Sequence, residues 1–197
     1  MDNLKQIKNF LTVRYYTIKD DGLEIKIRSI INNEDIFVPF HNIGNKLTRI
    51  TRYNKGILYP SIFFVLAGVF RILVSDDPFI DDSIGFWSFI GFLGSIFSFI
   101  FKINMSFLEG GQTVVNLYTD KPNKYEFSIF IKTLITKRDE YLKSKYLNLS
   151  PSLDYGTQLE NLIALDNLGV ISNEKFIEKR QELDEMYKNF PYRLDSN

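Results

Sequence analysis

Asp76, Asp77, Asp81 and Asp82 crowd into the stretch "ILVSDDPFIDDSIG", between the two most apolar runs of the chain. Carboxylates this close together are candidate ligands for a hard cation such as calcium. An EF-hand loop, however, needs ligands at alternating positions, a glycine turn and a closing glutamate, and "DDPFIDD" lacks that spacing. Other residues able to do chemistry are sparse. His41 is the single histidine and cysteine is absent. That excludes His-rich metal sites, thiolate sites, disulfides and cysteine nucleophiles. His41, beside Phe40, reads as a structural ring. "GNKLT" lacks the second element of a phosphate-binding loop. Glu109, ahead of Gly110 and Gly111, reads as ordinary hairpin chemistry, and "KRDEYLKSK" as a solvated helix face. No catalytic, metal or cofactor-binding constellation is expected, so the chain does not read as an enzyme.

Its 197 residues suffice for one modest domain plus an appendage, or for a domain plus membrane spans. Lys+Arg and Asp+Glu balance at 24 each, so no basic excess argues for a nucleic-acid partner. The mean hydropathy of −0.11 hides a segregation. Residues 57–103 are overwhelmingly apolar and the remainder is polar. The start "MDNLKQIKNF" has no apolar core followed by a small-residue cleavage site, so no signal peptide is expected.

The runs "ILYPSIFFVLAGVFRILVS" (57–75) and "IGFWSFIGFLGSIFSFIFKI" (84–103) each approach the ~20 residues that cross a ~30 Å hydrocarbon core. They are expected to form a transmembrane hairpin over 57–102. Lys46, Arg49, Arg52 and Lys55 precede the first run and Lys102 closes the second, while the turn between them holds no basic residue. Positive flanks stay inside. Both termini are therefore expected in the cytoplasm, with the aspartates keeping a short external turn in water and Pro78 breaking the helix. Ser88, Gly91, Ser95 and Ser98 recur at helical steps, and Ser61, Gly68 and Arg71 share a face of the first run. Small faces of this kind let helices approach closely. Arg71 reads either as a gate or ion-path residue or as a side chain snorkelling outward toward Asp76 or Asp77.

Around the hairpin the chain reads as a β-meander closed by a helix. "LTVRYYTIK" (11–19), "LEIKIRSII" (23–31) and "IFVPF" (36–40) have strand composition or alternation. "KLTRITRY" (46–53) fits a fourth strand or a short helix. "INMSFLE" (103–109) and "QTVVNLYT" (112–119) resume the β pattern. Phe127, Phe130, Ile131, Leu134, Ile135, Tyr141 and Leu142 then give helical spacing over 124–146. "EDIFVPFHNI" and the closing strand, turn and "KYEFSIFIKTL" helix resemble bacterial pleckstrin-homology-like (PH-like) domains, over roughly 11–56 and 103–147. The resemblance implies a strongly bent sheet capped by the helix, with the hairpin inserted in one of its loops. Domain limits of 1–56 plus 103–147 follow, with a linker at 148–156.

In the segment 157–190, Leu159, Leu162, Ile163 and Leu168 form one helical stripe. Phe176, Ile177, Leu183, Met186 and Tyr187 form a second. Gly169 suits the residue after a helix end and Ser172 suits an N-cap. The pattern around "LGVISNEKF" resembles the short C-terminal (SHOCT) domain, a small helical hairpin attached to many bacterial proteins. That resemblance implies interaction or oligomerisation and carries no catalytic residues. Some 35 residues bury little alone, so Leu162, Leu168, Phe176 and Leu183 are expected against another copy or a protein partner.

The resulting expectation is an α+β membrane protein of the bacterial inner membrane, acting as an oligomeric, non-catalytic interaction module. Two alternatives remain open. One is an oligomeric channel or effector using Arg71. The other is a domain sensing anionic lipid headgroups through Lys46, Arg49, Arg52 and Lys55.

Overall fold

The computed structural model describes residues 1–9, 12–30, 32–53, 55–74, 82–100 and 102–188. Four antiparallel strands come first: β1 (Asn3–Asn9), β2 (Thr12–Ile18), β3 (Gly22–Ser29) and β4 (Asn33–Pro39), paired in that order. A 3-10 turn, Phe40–Asn42, leads to β5 (Lys46–Arg52). Helices α1 (Lys55–Val74) and α2 (Asp82–Ile100) follow, then β6 (Ile103–Glu109) and β7 (Val115–Tyr118), which complete a second sheet of order β5-β6-β7. Three helices close the chain: α3 (Lys124–Tyr146), α4 (Tyr155–Asn167) and α5 (Asn173–Lys188). The architecture is α+β, and the chain divides into two compact units, Met1–Thr48 with Ser106–Asn197, and Arg49–Met105.

The first unit owes its core to inward positions of alternating strands. Tyr16 and Ile18 from β2, Leu23 and Ile25 from β3, and Leu117 from β7 meet Phe127, Phe130 and Leu134 from α3. Helix α3 starts where Asn123 accepts from the N–H of Glu126, a conventional N-cap. Strand β1 escaped the sequence reading for a physical reason. Its inward positions are Leu4 and Gln6, both buried, and one of the two is polar. Its outward Ile7 is 48% exposed, so the alternation of apolar residues is scrambled. Gln6 earns its buried place by acting as a piece of strand: its amide accepts from the N–H of Tyr118 and donates to the carbonyls of Tyr118 and Lys121. The side chain thus joins β1 to the end of β7 where no backbone ladder forms. "KLTRITRY" resolves to strand β5 rather than a helix.

The expected transmembrane hairpin needs correction. Among the described residues, no helix is long and apolar enough to cross a membrane. Helix α1 begins at Lys55 and contains Pro60, and α2 begins at Asp82. The transmembrane fold class over 57–102, the inner-membrane location and the arrangement with both termini on the cytoplasmic side lose their basis accordingly. The acidic turn lies at 75–81, outside the described residues, apart from Asp82 at the start of α2.

Candidate docking surfaces

Within the second unit, α1 and α2 pack through small residues. A Cβ on Gly68 would sit 1.8 Å from the Ser88 hydroxyl oxygen, and one on Gly91 would meet Ser61 O at 2.8 Å and the Phe64 Cβ at 2.7 Å. Such spacing leaves no room for a side chain at the contact. Gly94 faces the Ser61 hydroxyl in the same way, at 2.3 Å, and was not singled out from the sequence. Ser61 and Ser98 are buried. The buried Ser61 hydroxyl bonds back along its helix to Ile57 O at 2.6 Å, and the half-buried Ser95 hydroxyl to Gly91 O at 3.0 Å. Phe64 stacks on Trp87 with ring centroids 5.5 Å apart. The side chain of Arg71 lies outside the described residues.

The opposite faces of this pair are aromatic and open. Tyr59, Phe63, Leu66 and Phe70 follow one another at steps of four, three and four, a single face of α1. Eight aromatic side chains, Tyr59, Phe63, Phe70, Phe86, Trp87, Phe89, Phe92 and Phe97, are 50–67% exposed. At ~200 Å² per aromatic, they leave roughly 900 Å² of ring surface uncovered. The largest apolar patch of a typical monomer reaches only ~300–600 Å².

The C-terminal helices present the contrary case. Leu162 and Leu183 are fully buried within the chain. Leu142, Leu165, Val170 and Ile171 form a small core, onto which Leu168 and Phe176 pack along with Tyr141, Tyr146 and Leu147. The inward residues of the two stripes are thus covered by each other and by α3, while Ile163 and Ile177 stay exposed. Gly169 stands at φ +63°, a left-handed conformation that ends α4, with its N–H donating to Asp166 O. Ser172 caps α5, its hydroxyl accepting from Lys175 N–H at 3.4 Å. A hydrogen bond from Ser172 and the backbone N–H at the start of α5 hold Glu174 below the usual carboxylate range. Asp154, the N-cap of α4, is lowered by the hydroxyl and backbone N–H of Thr157.

Arg138 ties this helical pair to the β-rich body. It is 0% exposed. Its Nη1 donates to Ile43 O at 3.0 Å, its Nη2 reaches Leu168 O at 3.4 Å, and Nε donates to the Asp139 carboxylate at 2.8 Å. One planar guanidinium therefore satisfies the loop after the 3-10 turn and the end of α4 together, a task suited to its fork of donors. The reading of "KRDEYLKSK" as a solvated face missed it. The signal was available: Leu134, Arg138 and Leu142 are spaced four apart, which puts the arginine in the apolar stripe.

The basic residues of β5 do not converge. Lys46 and Arg52 share one side of the strand and Arg49 takes the other, because side chains alternate with period two. All three are exposed, and the side chain of Lys55 lies outside the described residues. His41 is exposed, and Glu109 accepts from the Thr48 hydroxyl at 3.0 Å. Among the described residues, no cluster of three or more His, Asp or Glu could hold a metal ion. No family model, curated protein or solved structure matches the chain.

Proposed function

We propose that this chain is a non-catalytic interaction and assembly module that self-associates through the aromatic faces of α1 and α2. The uncovered aromatic surface carries the reading. Roughly 900 Å² exceeds the ~800 Å² that each partner contributes to a standard protein interface. Side chains of this type dominate association energetics once desolvated. The faces lie on both helices of the pair, so identical copies can cover one another. The C-terminal helices, whose likeness to the short C-terminal domain implies interaction, offer little free apolar surface while docked on α3. Their exposed positions reduce to residues such as Ile163 and Ile177. Self-association through them would require undocking, which disfavours them as the main contact.

Sedimentation velocity over a concentration series, on the chain and on a Phe63→Lys, Phe70→Lys double variant, tests this. The chain is expected to exceed its 23.1 kDa monomer mass and the variant to fall back toward it. A chain that is monomeric throughout, or that is recovered as a monomer inside detergent or lipid vesicles, would overturn the proposal.

A further inference from the structure

Beside β1 runs a groove of about 810 Å³, lined by Asn3, Lys5, Ile7, Tyr15, Pro122 and Glu126 among others. The register of the sheet makes this groove an open strand edge. The N–H of Ile18 donates to Asp2 O, and the β1–β2 ladder pairs Leu4 with Tyr16 and Gln6 with Arg14. Even-numbered residues of β1 therefore turn their backbone groups to β2. Odd-numbered ones, Asn3, Lys5 and Ile7, turn theirs outward. Ile7 O is met there by the Lys121 ammonium at 2.8 Å. Among the described residues no strand pairs with this side of β1. Unpaired edges of this kind recruit an added strand. The face above the edge is partly apolar, with Ile7 and Tyr15 both exposed.

The chain contains a segment of matching chemistry. Residues 189–197 read "NFPYRLDSN" and lie outside the described residues. Phe190, Tyr192 and Leu194 alternate with period two, the pattern of a half-buried strand. Pro191 has no N–H, so in an added strand it must point away from β1. In an antiparallel strand, that choice turns the N–H groups of Tyr192 and Leu194 toward Lys5 and Asn3. In the same register, residues 190, 192 and 194 put their side chains on the face that carries Ile7 and Tyr15. The proline and the apolar alternation thus select one and the same register.

The segment cannot reach its own groove. Arg138, where α4 ends at Leu168, stands ~21 Å along α3 from Lys124. Helix α4 extends ~20 Å from that point back to Tyr155, and α5 returns alongside it, with Tyr155 donating to Asp184 at 2.7 Å. Leu165 and Leu168 pack beside Tyr141, Leu142, Tyr146 and Leu147, so α4 leads back toward the far end of α3, and Lys188 stands ~29 Å or more from the groove end of α3. A fully extended chain covers only ~20 Å from Lys188 to Leu194.

We propose that residues 190–194 of a second copy add to β1 as an antiparallel strand, in the groove between β1 and the turn at Pro122. The contact rests on the assembly reading above but uses a separate surface. The probe is a fluorescent peptide of residues 188–197 titrated with the full chain and read by anisotropy. Saturable binding is expected. N-methylation at Tyr192, which blocks a group facing β1, is expected to weaken it about tenfold or more, and N-methylation at Arg193 by less than about threefold. Lys5→Pro removes an outward N–H without touching the β2 ladder and is expected to match the Tyr192 effect, while Lys5→Ala binds normally. Absent binding, or equal effects of the two N-methyl peptides, would overturn the proposal. So would a rise in affinity on deleting residues 189–197 from the chain at concentrations where it is monomeric, since that places the segment in its own groove. Failure of the peptide leaves the α1–α2 contact standing, and loss of association in the Phe63, Phe70 double variant leaves peptide binding intact.

Discussion

Replacing Arg138 by methionine is expected to destabilise the first unit by about 2 kcal/mol. Methionine keeps an unbranched apolar stem of similar reach, so the change isolates the donors. Three acceptors lose a partner. Ile43 O is buried with a 3.0 Å bond, and leaving such a group unpaired costs about 1–3 kcal/mol. Leu168 O sits at the end of a longer, 3.4 Å contact and contributes about 1 kcal/mol or less. The Asp139 carboxylate is 25% exposed and can turn to water, so its loss adds little. Removing a desolvated guanidinium offsets part of the sum, which brings the net to about 2 kcal/mol. That is roughly a thirtyfold change in the folding equilibrium, and a fall in Tm of about 4–8 °C for a chain of this size. Urea titration gives the free energy. Hydrogen exchange gives the place: protection at Val170, whose N–H donates to Leu165 O, is expected to fall further than protection in β2 and β3. A variant within about 0.5 kcal/mol of the parent, or a loss spread evenly over the sheet, would refute the latch.

Gly169→Ala is expected to cost about 1–2 kcal/mol by urea titration, since φ +63° strains a side chain and a Cβ there would meet the Asn45 amide nitrogen at 2.3 Å. Gln6→Leu keeps the bulk but strips Tyr118 of partners for its N–H and carbonyl, and is expected to cost about 2–4 kcal/mol, read by thermal melting. Acid is expected to loosen the C-terminal helices. Asp154 and Glu174 have folded pKa values below their usual ones, so their contribution is present above the usual carboxylate pKa and is lost as pH falls through the lowered folded values. Circular dichroism or hydrogen exchange of α4 and α5 across that window follows it, and Asp154→Asn is expected to flatten the response.

Parts of this fold are legible in the sequence because one signal dominates them. Helix α3 spans 124–146 with a single apolar stripe and an Asn cap, and the stripe alone places it. Gly169 and Ser172 mark the break between α4 and α5 for equally local reasons. Other parts depend on contacts made far along the chain. Gln6 is buried only because Tyr118 and Lys121 supply its partners, 112 and 115 residues away. Arg138 is buried because Ile43 and Leu168 come to it from two other segments. The charged run around it looks like surface until those carbonyls are in place. The apolar runs at 57–75 and 84–103 show the opposite difficulty. Hydropathy is consistent with any apolar surroundings, and the two helices present open aromatic faces without a described stretch long enough to span a membrane. Nor does a linear count of basic residues show that Arg49 leaves Lys46 and Arg52 for the other side of β5.

The central claim is that the aromatic faces of α1 and α2 meet those of another copy. The chain contains no cysteine, so a single thiol can report that contact. Phe63, at 67% exposure in the middle of the α1 face, is replaced by cysteine and the chain is oxidised gently. Tyr125, 75% exposed on α3, serves as the control position. The expected result is a disulfide-linked species of twice 23.1 kDa for Phe63→Cys at concentrations where Tyr125→Cys stays monomeric. Equal cross-linking of the two, or none at Phe63, would contradict the claim.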